Sequence, residues 1–141
     1  MKLLLMQFLS VFFFSVANEN SEPQVIFKNN QIEITSMTEQ CHDIQNGMHQ
    51  EYEFLTIQNL TSDKLEVTYE KELWYNGKCI SCSKPSDEYS FKLVLAPNQS
   101  LSGSCAKKEK ALSVFSKMLN MKKSELSKFE IKNIVIKTIA K

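Results

Sequence analysis

The sequence predicts an all-β chain, folded as an antiparallel β-sandwich behind an N-terminal signal peptide. Three observations carry that expectation. Apolar residues recur with period two in one run after another, clusters of turn-forming residues separate the runs, and sustained helical periods are nearly absent.

The runs can be taken in chain order. "QIEIT" places Ile32 and Ile34 on one side of a strand. "EYEFLTIQNL" is apolar on both parities, Tyr52 and Phe54 against Leu55 and Ile57, which suits a central strand covered on both faces. "KLEVTYEKELWY" is the clearest strand. Leu65, Val67, Tyr69, Leu73 and Tyr75 share one face, which only Lys71 interrupts, and Glu66, Thr68, Glu70 and Glu72 line the other. "YSFKLVLA" repeats the alternation with Tyr89, Phe91, Leu93 and Leu95. "KFEIKNIVIKTI" begins with Phe129 and Ile131 and then shifts phase to Ile134 and Ile136, which predicts a bulge near Asn133. One stretch reads two ways. "KKEKALSVFSKMLNMKKSEL" has Leu112, Phe115 and Leu119 at helical spacing, but it also alternates through Leu112, Val114, Ser116 and Met118. The strand reading of residues 108–119 is preferred, in a terminal hairpin with residues 128–139 that closes near "MKKSEL". Asn29-Asn30, Asn46-Gly47, Thr61-Ser62-Asp63, Asn76-Gly77, Pro85-Ser86-Asp87 and Pro97-Asn98 supply the turns.

This pattern resembles an immunoglobulin-type sandwich in architecture. The hallmark residues of that fold are missing, because Trp74 lies far beyond Cys41 and Gly103 stands where a Tyr should precede Cys105. The resemblance therefore implies a layout and no function.

The chain opens "MKLLLMQFLSVFFFSVANENSEPQ". Lys2 precedes an uncharged, mostly apolar run, and Ser15-Val16-Ala17 offers small residues for cleavage, the layout of a secretory signal peptide. The stretch Leu3–Ala17 would make about 22 Å of helix, short of a hydrocarbon core of ~30 Å. The expected organisation is a signal peptide over residues 1–17, a short linker over 18–24 and a single β domain over 25–141. The mature chain is then exported, secreted or periplasmic, and not membrane-embedded.

All 17 cationic side chains are Lys. With no Arg to supply the planar fork that reads phosphates and base edges, and with an export signal, nucleic acid is not an expected partner. The charge is lopsided: residues 18–106 carry 6 Lys and 13 acidic residues, and residues 107–141 carry 10 Lys and 3 Glu. The simpler expectation is basic strands lying beside acidic ones. The functional one is a cationic patch of Lys107, Lys108, Lys110, Lys117, Lys122 and Lys123 meeting a protein, a glycan or an anionic surface.

Four cysteines follow the leader: Cys41, Cys79, Cys82 and Cys105. Export makes two disulfides the first expectation, with three connectivities open. Cys79–Cys82 with Cys41–Cys105 is preferred, because the first two are always near each other. Asn76-Gly77 predicts a type I′ hairpin directly after the clearest strand, so Cys79 and Cys82 fall on a short return strand or loop. They lack the helix N-terminus that activates a redox C-x-x-C pair. The competing expectation concerns "CHDIQNGMHQ". Cys41, His42, Met48 and His49 are soft or borderline ligands in one expected loop, which a short turn at Gly47 would fold together, and they suit copper or zinc handling in an exported protein.

Catalytic constellations are not legible. His42 and His49 are the only imidazoles, no nucleophile elbow occurs, and with 3 Gly no phosphate-cradling loop is available. Glu66, Glu70 and Glu72 read as a solvated row rather than a glycosidase pair. Asn59-Leu60-Thr61 and Asn98-Gln99-Ser100 match the N-glycosylation pattern. The expected function is a non-catalytic binding or interaction module that needs no cofactor.

Overall fold

The computed structural model describes residues 21–82 and 86–140; the signal-peptide reading of residues 1–17 lies outside them. Among the described residues nine strands follow in order: β1 (Gln24–Lys28), β2 (Ile32–Asp43), β3 (Met48–Asn59), β4 (Lys64–Tyr75), β5 (Lys78–Cys79), β6 (Ser90–Leu95), β7 (Ser100–Ser102), β8 (Ser113–Met118) and β9 (Leu126–Ile139). They form two antiparallel sheets. In the first, β1, β2 and β3 lie side by side, and β7 and β8 share the far edge of β3. In the second, β9 lies along one side of β4, and β5 and β6 share the other. Among the described residues no helix is long and apolar enough to cross a membrane.

The period-two rows dictate the core. Ile32, Ile34, Leu55 and Ile57 from the first sheet meet Leu65, Val67, Tyr69 and Leu95 from the second in one buried cluster, which Leu112 completes. Each fully buried aliphatic side chain contributes about 1.5–3 kcal/mol, so these alternating rows are what bring the sheets together. Asn76 and Gly77 have φ of 49° and 78° and close the β4–β5 hairpin as the sequence predicts. Asn133, with φ of 52°, sits at the register shift between β4 and β9 and accounts for the phase slip.

Two expectations need correction. The ambiguous stretch is a strand only from Ser113 to Met118, preceded by a single 3-10 turn at Lys110–Leu112. Its partner is not residues 128–139. β8 pairs with β3 and β9 pairs with β4, so the two belong to different sheets. The connection over residues 119–125 is longer than the two to five residues of a tight hairpin, and it carries the chain from one sheet to the other. The start of β9 is held at the β4–β5 turn instead: Asn76 N donates to Glu125 O, and Gly77 N donates to Ser127 Oγ. The second correction concerns "CHDIQNGMHQ", which is not a loop. β2 and β3 remain paired through Asp43↔Met48, leaving only residues 44–47 as the turn.

Between β7 and β8 the chain leaves the edge of β3. Gly103 N donates to Leu55 O at 3.0 Å. The segment then reaches Cys41 of β2 through the Cys41–Cys105 disulfide and returns to bury Leu112 in the core. Its passage over β3 explains why that strand is apolar on both parities. Phe54 is only 3% exposed although Leu55 points the other way. The second disulfide, Cys79–Cys82, closes the loop after β5, so the pairing is the one the sequence favours.

Gly103 marks the tightest point. A Cβ there would press on Leu112 O and stand 2.9 Å from Phe54 Cδ1. Gly103→Ala is expected to cost about 1–3 kcal/mol in urea unfolding, whereas Gly47→Ala meets nothing within 4 Å and suffers only its positive φ of 63°. Mass spectrometry of the natively folded chain is expected to find it lighter than its reduced form by four hydrogen atoms, with Cys41–Cys105 and Cys79–Cys82 as the linked peptides.

Candidate functional site

The lone charge in the inward row of β4 borders a cleft with several aromatic side chains. Lys71 is 3% exposed, and it is absent from the ion pairs among the described residues. Its Nζ donates to Lys110 O and to Ser113 O, the latter at 3.0 Å, and lies 4.7 Å from the centroid of the Phe91 ring. Tyr69 Oη donates to Ala111 O, and Tyr75 Oη donates to Phe115 O at 2.6 Å. Three inward side chains of β4 thus bind four main-chain carbonyls on and just before β8.

Beside this seam is a cleft of about 360 Å³. Tyr52, Tyr75, Tyr89, Phe91 and Phe115 give it aromatic walls, Leu73 and Ile80 add aliphatic surface, and Lys108, Lys110 and Glu88 supply charge. Tyr52 is stacked on Phe54 at 5.5 Å and meets Phe115 edge-on at 5.6 Å, which fixes its ring. Lys108 Nζ stands 5.2 Å over Tyr52 and donates to Gln50 Oε1 at 3.3 Å. Burial raises the Tyr75 hydroxyl to about 12, with Tyr89 and Tyr52 adding to the effect, and burial also raises Tyr52. Both therefore remain protonated donors at neutral pH. Burial lowers the Lys71 ammonium to about 7.

The structure divides the six lysines of the expected patch. Lys108 and Lys110 line the aromatic cleft, and Lys107 is 3.7 Å from Glu109 on the same segment. Lys117 and Lys122 line a separate groove with Met118 and Met121, where Lys117 also faces Glu51 at 3.9 Å. Lys123 is exposed in the connection to β9. The acidic row behaves as the charge pattern suggests. Lys132 approaches Glu72 at 3.8 Å, Lys92 approaches Glu66 at 3.6 Å, and Asn133 Nδ2 donates to Glu70 Oε2 at 2.8 Å. The C-terminal lysines of β9 thus lie against the glutamates of β4.

The proposed copper set is not brought together as a four-residue group. Alternation along the β2–β3 hairpin puts His42 and His49, which are directly opposed, on one face, and Cys41 and Met48 on the other. Cys41 is buried and disulfide-bonded. Asp43 is engaged by Asn46, whose side chain and main-chain N–H hold the carboxyl below its usual range. Among the described residues no group of three or more His, Cys, Asp or Glu is placed to hold a metal.

The two glycosylation sequons differ. Asn59 is fully buried, donating from Nδ2 to Asp63 O and Ala96 O and accepting from Thr61 at Oδ1, so the folded chain has no room for a glycan there. Asn98 is exposed. Of the residues that shape the cleft, Lys71 was legible as the one break in an apolar row. Tyr52, Tyr75 and Tyr89 were read only as strand residues, since nothing in the sequence shows that they converge.

Comparison with known proteins gives no matching family model, no matching curated protein and no matching solved structure.

The Lys71 geometry predicts a pH dependence. Below about pH 7 the side chain is charged in both folded and unfolded chains and the burial cost is felt in full. Between there and its ordinary value of 10.5 the folded chain has released a proton that the unfolded chain still holds, so stability rises with pH. From about pH 6 to pH 9 the parent chain is expected to gain of order 2 kcal/mol more than Lys71→Met. Urea unfolding at the two pH values measures the difference, and equal slopes would place the Lys71 titration outside this range.

Proposed function

We propose that the chain is an exported, non-catalytic binding module. In this reading it is a β-sandwich of immunoglobulin-like architecture that recognises an acidic glycan in the cleft between Tyr52, Tyr75, Tyr89 and the Lys108–Lys110 segment. The observation that carries the reading is the composition of that cleft. Aromatic walls offer flat faces for sugar rings, and Lys108 and Lys110 stand where a carboxylate or sulfate could be met. A concave, largely apolar surface with few charged groups suits binding.

Several features support the rest of the reading. The inward rows of the two antiparallel sheets share one cluster, as a sandwich requires. The opening residues have the composition of an export signal, and the two disulfides are compatible with an oxidising compartment. The pairing of Lys132 of β9 and Lys92 of β6 with β4 glutamates leaves Lys108 and Lys110 as the exposed cations beside the cleft.

Titration of the mature chain with uronic-acid and sulfated oligosaccharides, against neutral ones of equal length, tests the proposal. Acidic sugars are expected to bind more tightly, to weaken with salt, and to lose about tenfold or more in affinity in Lys108→Glu/Lys110→Glu and in Tyr89→Ala. Lys122→Glu/Lys123→Glu is expected to bind as the parent does. Equal binding by all three variants would remove the cleft from consideration.

A further inference from the structure

The geometry points to a second site at the far end of the β2–β3 hairpin: a two-imidazole chelate for copper(II) formed by His42 and His49. It is independent of the cleft reading. The two residues are a directly opposed pair in a ladder that runs without a break from Ile32↔Asn59 to Asp43↔Met48. Their backbone positions are further fixed by the Cys41–Cys105 crosslink one residue away and by Leu119 N donating to His49 O at 2.8 Å. Asn120 Nδ2 donates to Gly47 O at 3.2 Å and ties the turn to the same connection.

The ring nitrogens decide the chemistry. His42 Nδ1 and His49 Nδ1 are 2.7 Å apart, with ring centroids at 5.0 Å. Such a contact needs one Nδ1–H and one Nδ1 lone pair. When the donating ring passes that proton to its own Nε2, both Nδ1 lone pairs become free to hold a cation. Imidazole nitrogens at about 2.0–2.1 Å from a metal stand about 2.9 Å apart at the right angle of a tetragonal site, within a few tenths of an ångström of the observed separation. A tetrahedral ion needs about 3.4 Å between them, so copper(II) fits better than zinc. The soft ligands are on the opposite face, with Cys41 oxidised, and therefore the pair does not suit copper(I). Two or more coordination positions are left to solvent or to an incoming ligand. Two neutral rings bind the ion with no net release of a proton, because the displaced Nδ1–H moves through solvent to the free Nε2 of the same ring.

The experiment is titration of the oxidised mature chain with copper(II), followed by calorimetry and electron paramagnetic resonance. One ion per chain is expected near neutral pH, with two equatorial imidazole nitrogens in the spectrum. Affinity is expected to fall by about tenfold or more in His42→Ala and in His49→Ala. Cys41→Ser/Cys105→Ser and Met48→Leu are expected to retain the two-nitrogen signal. The double variant His42→Ala/His49→Ala serves as the baseline for the chain terminus and other weak ligands, and its unfolding curve establishes that it is folded. Parent binding equal to that baseline, or a spectrum with sulfur ligation, would overturn the inference.

Discussion

The edge between the two sheets depends on how four carbonyl groups find donors. Lys110 O and Ala111 O lie just before β8 and Ser113 O and Phe115 O lie on it, and among the described residues β8 pairs with β3 on one side and with no further strand on the other. Left alone beside the core, each acceptor would cost about 1–3 kcal/mol. The inward row of β4 meets them instead, through Lys71 Nζ, Tyr69 Oη and Tyr75 Oη. Side chains of the opposite sheet thus take the place of a missing strand. This explains why a lysine is tolerated at a position that the alternation reserves for apolar residues. Its stem crosses the interior, and its ammonium ends on two carbonyls and the Phe91 ring. The seam also sets the floor of the cleft, because fixing Tyr75 and Phe115 against each other leaves Tyr52, Tyr89 and Phe91 around an open space.

The disulfides act at different ranges. Cys79–Cys82 closes a loop that its own sequence already folds back at Asn76-Gly77. Cys41–Cys105 has a sequence separation of 64 and governs topology. It holds the 103–112 segment across β3 so that Lys108 reaches the Tyr52 ring and Leu112 enters the core from the same excursion. In the chain-entropy account a loop of that length contributes about 4 kcal/mol and the short one about 2 kcal/mol. The longer link is therefore both the stronger constraint and the one that shapes the cleft.

Local pattern was legible in the sequence and partnership was not. The alternation of β4, the Asn76-Gly77 turn and the bulge at Asn133 follow from side-chain period and φ preference, which are properties of a few adjacent residues. The pairing of β8 was missed because a strand of six residues carries no label for its neighbour. A hairpin with the next strand is only the shortest of several closures. The histidine window was misread as a loop folded by a short turn at Gly47, whereas β2 and β3 stay paired up to Asp43↔Met48. That error mattered for chemistry. In a loop, four soft ligands can gather; on paired strands, alternation sends His42 and His49 to one face and Cys41 and Met48 to the other.

Charge follows the same logic of placement. The strongly basic C-terminal quarter suggests one cationic surface, but strand pairing neutralises part of it. β9 sets Lys132 against Glu72 and its Lys137 opposite Glu66, so the outer face of the second sheet is mixed rather than positive. Such exposed pairs stabilise the fold only slightly, by about 0–1 kcal/mol each, yet they remove a field that would otherwise attract anions without selectivity. The lysines of the 103–112 segment are placed differently. Lys108 is held over an aromatic ring and Lys110 beside the carbonyl seam, at the rim of a concavity where water is partly excluded and a fixed charge acts more strongly on a ligand than on an open face. Where a cation is placed therefore counts for more here than how many the chain carries.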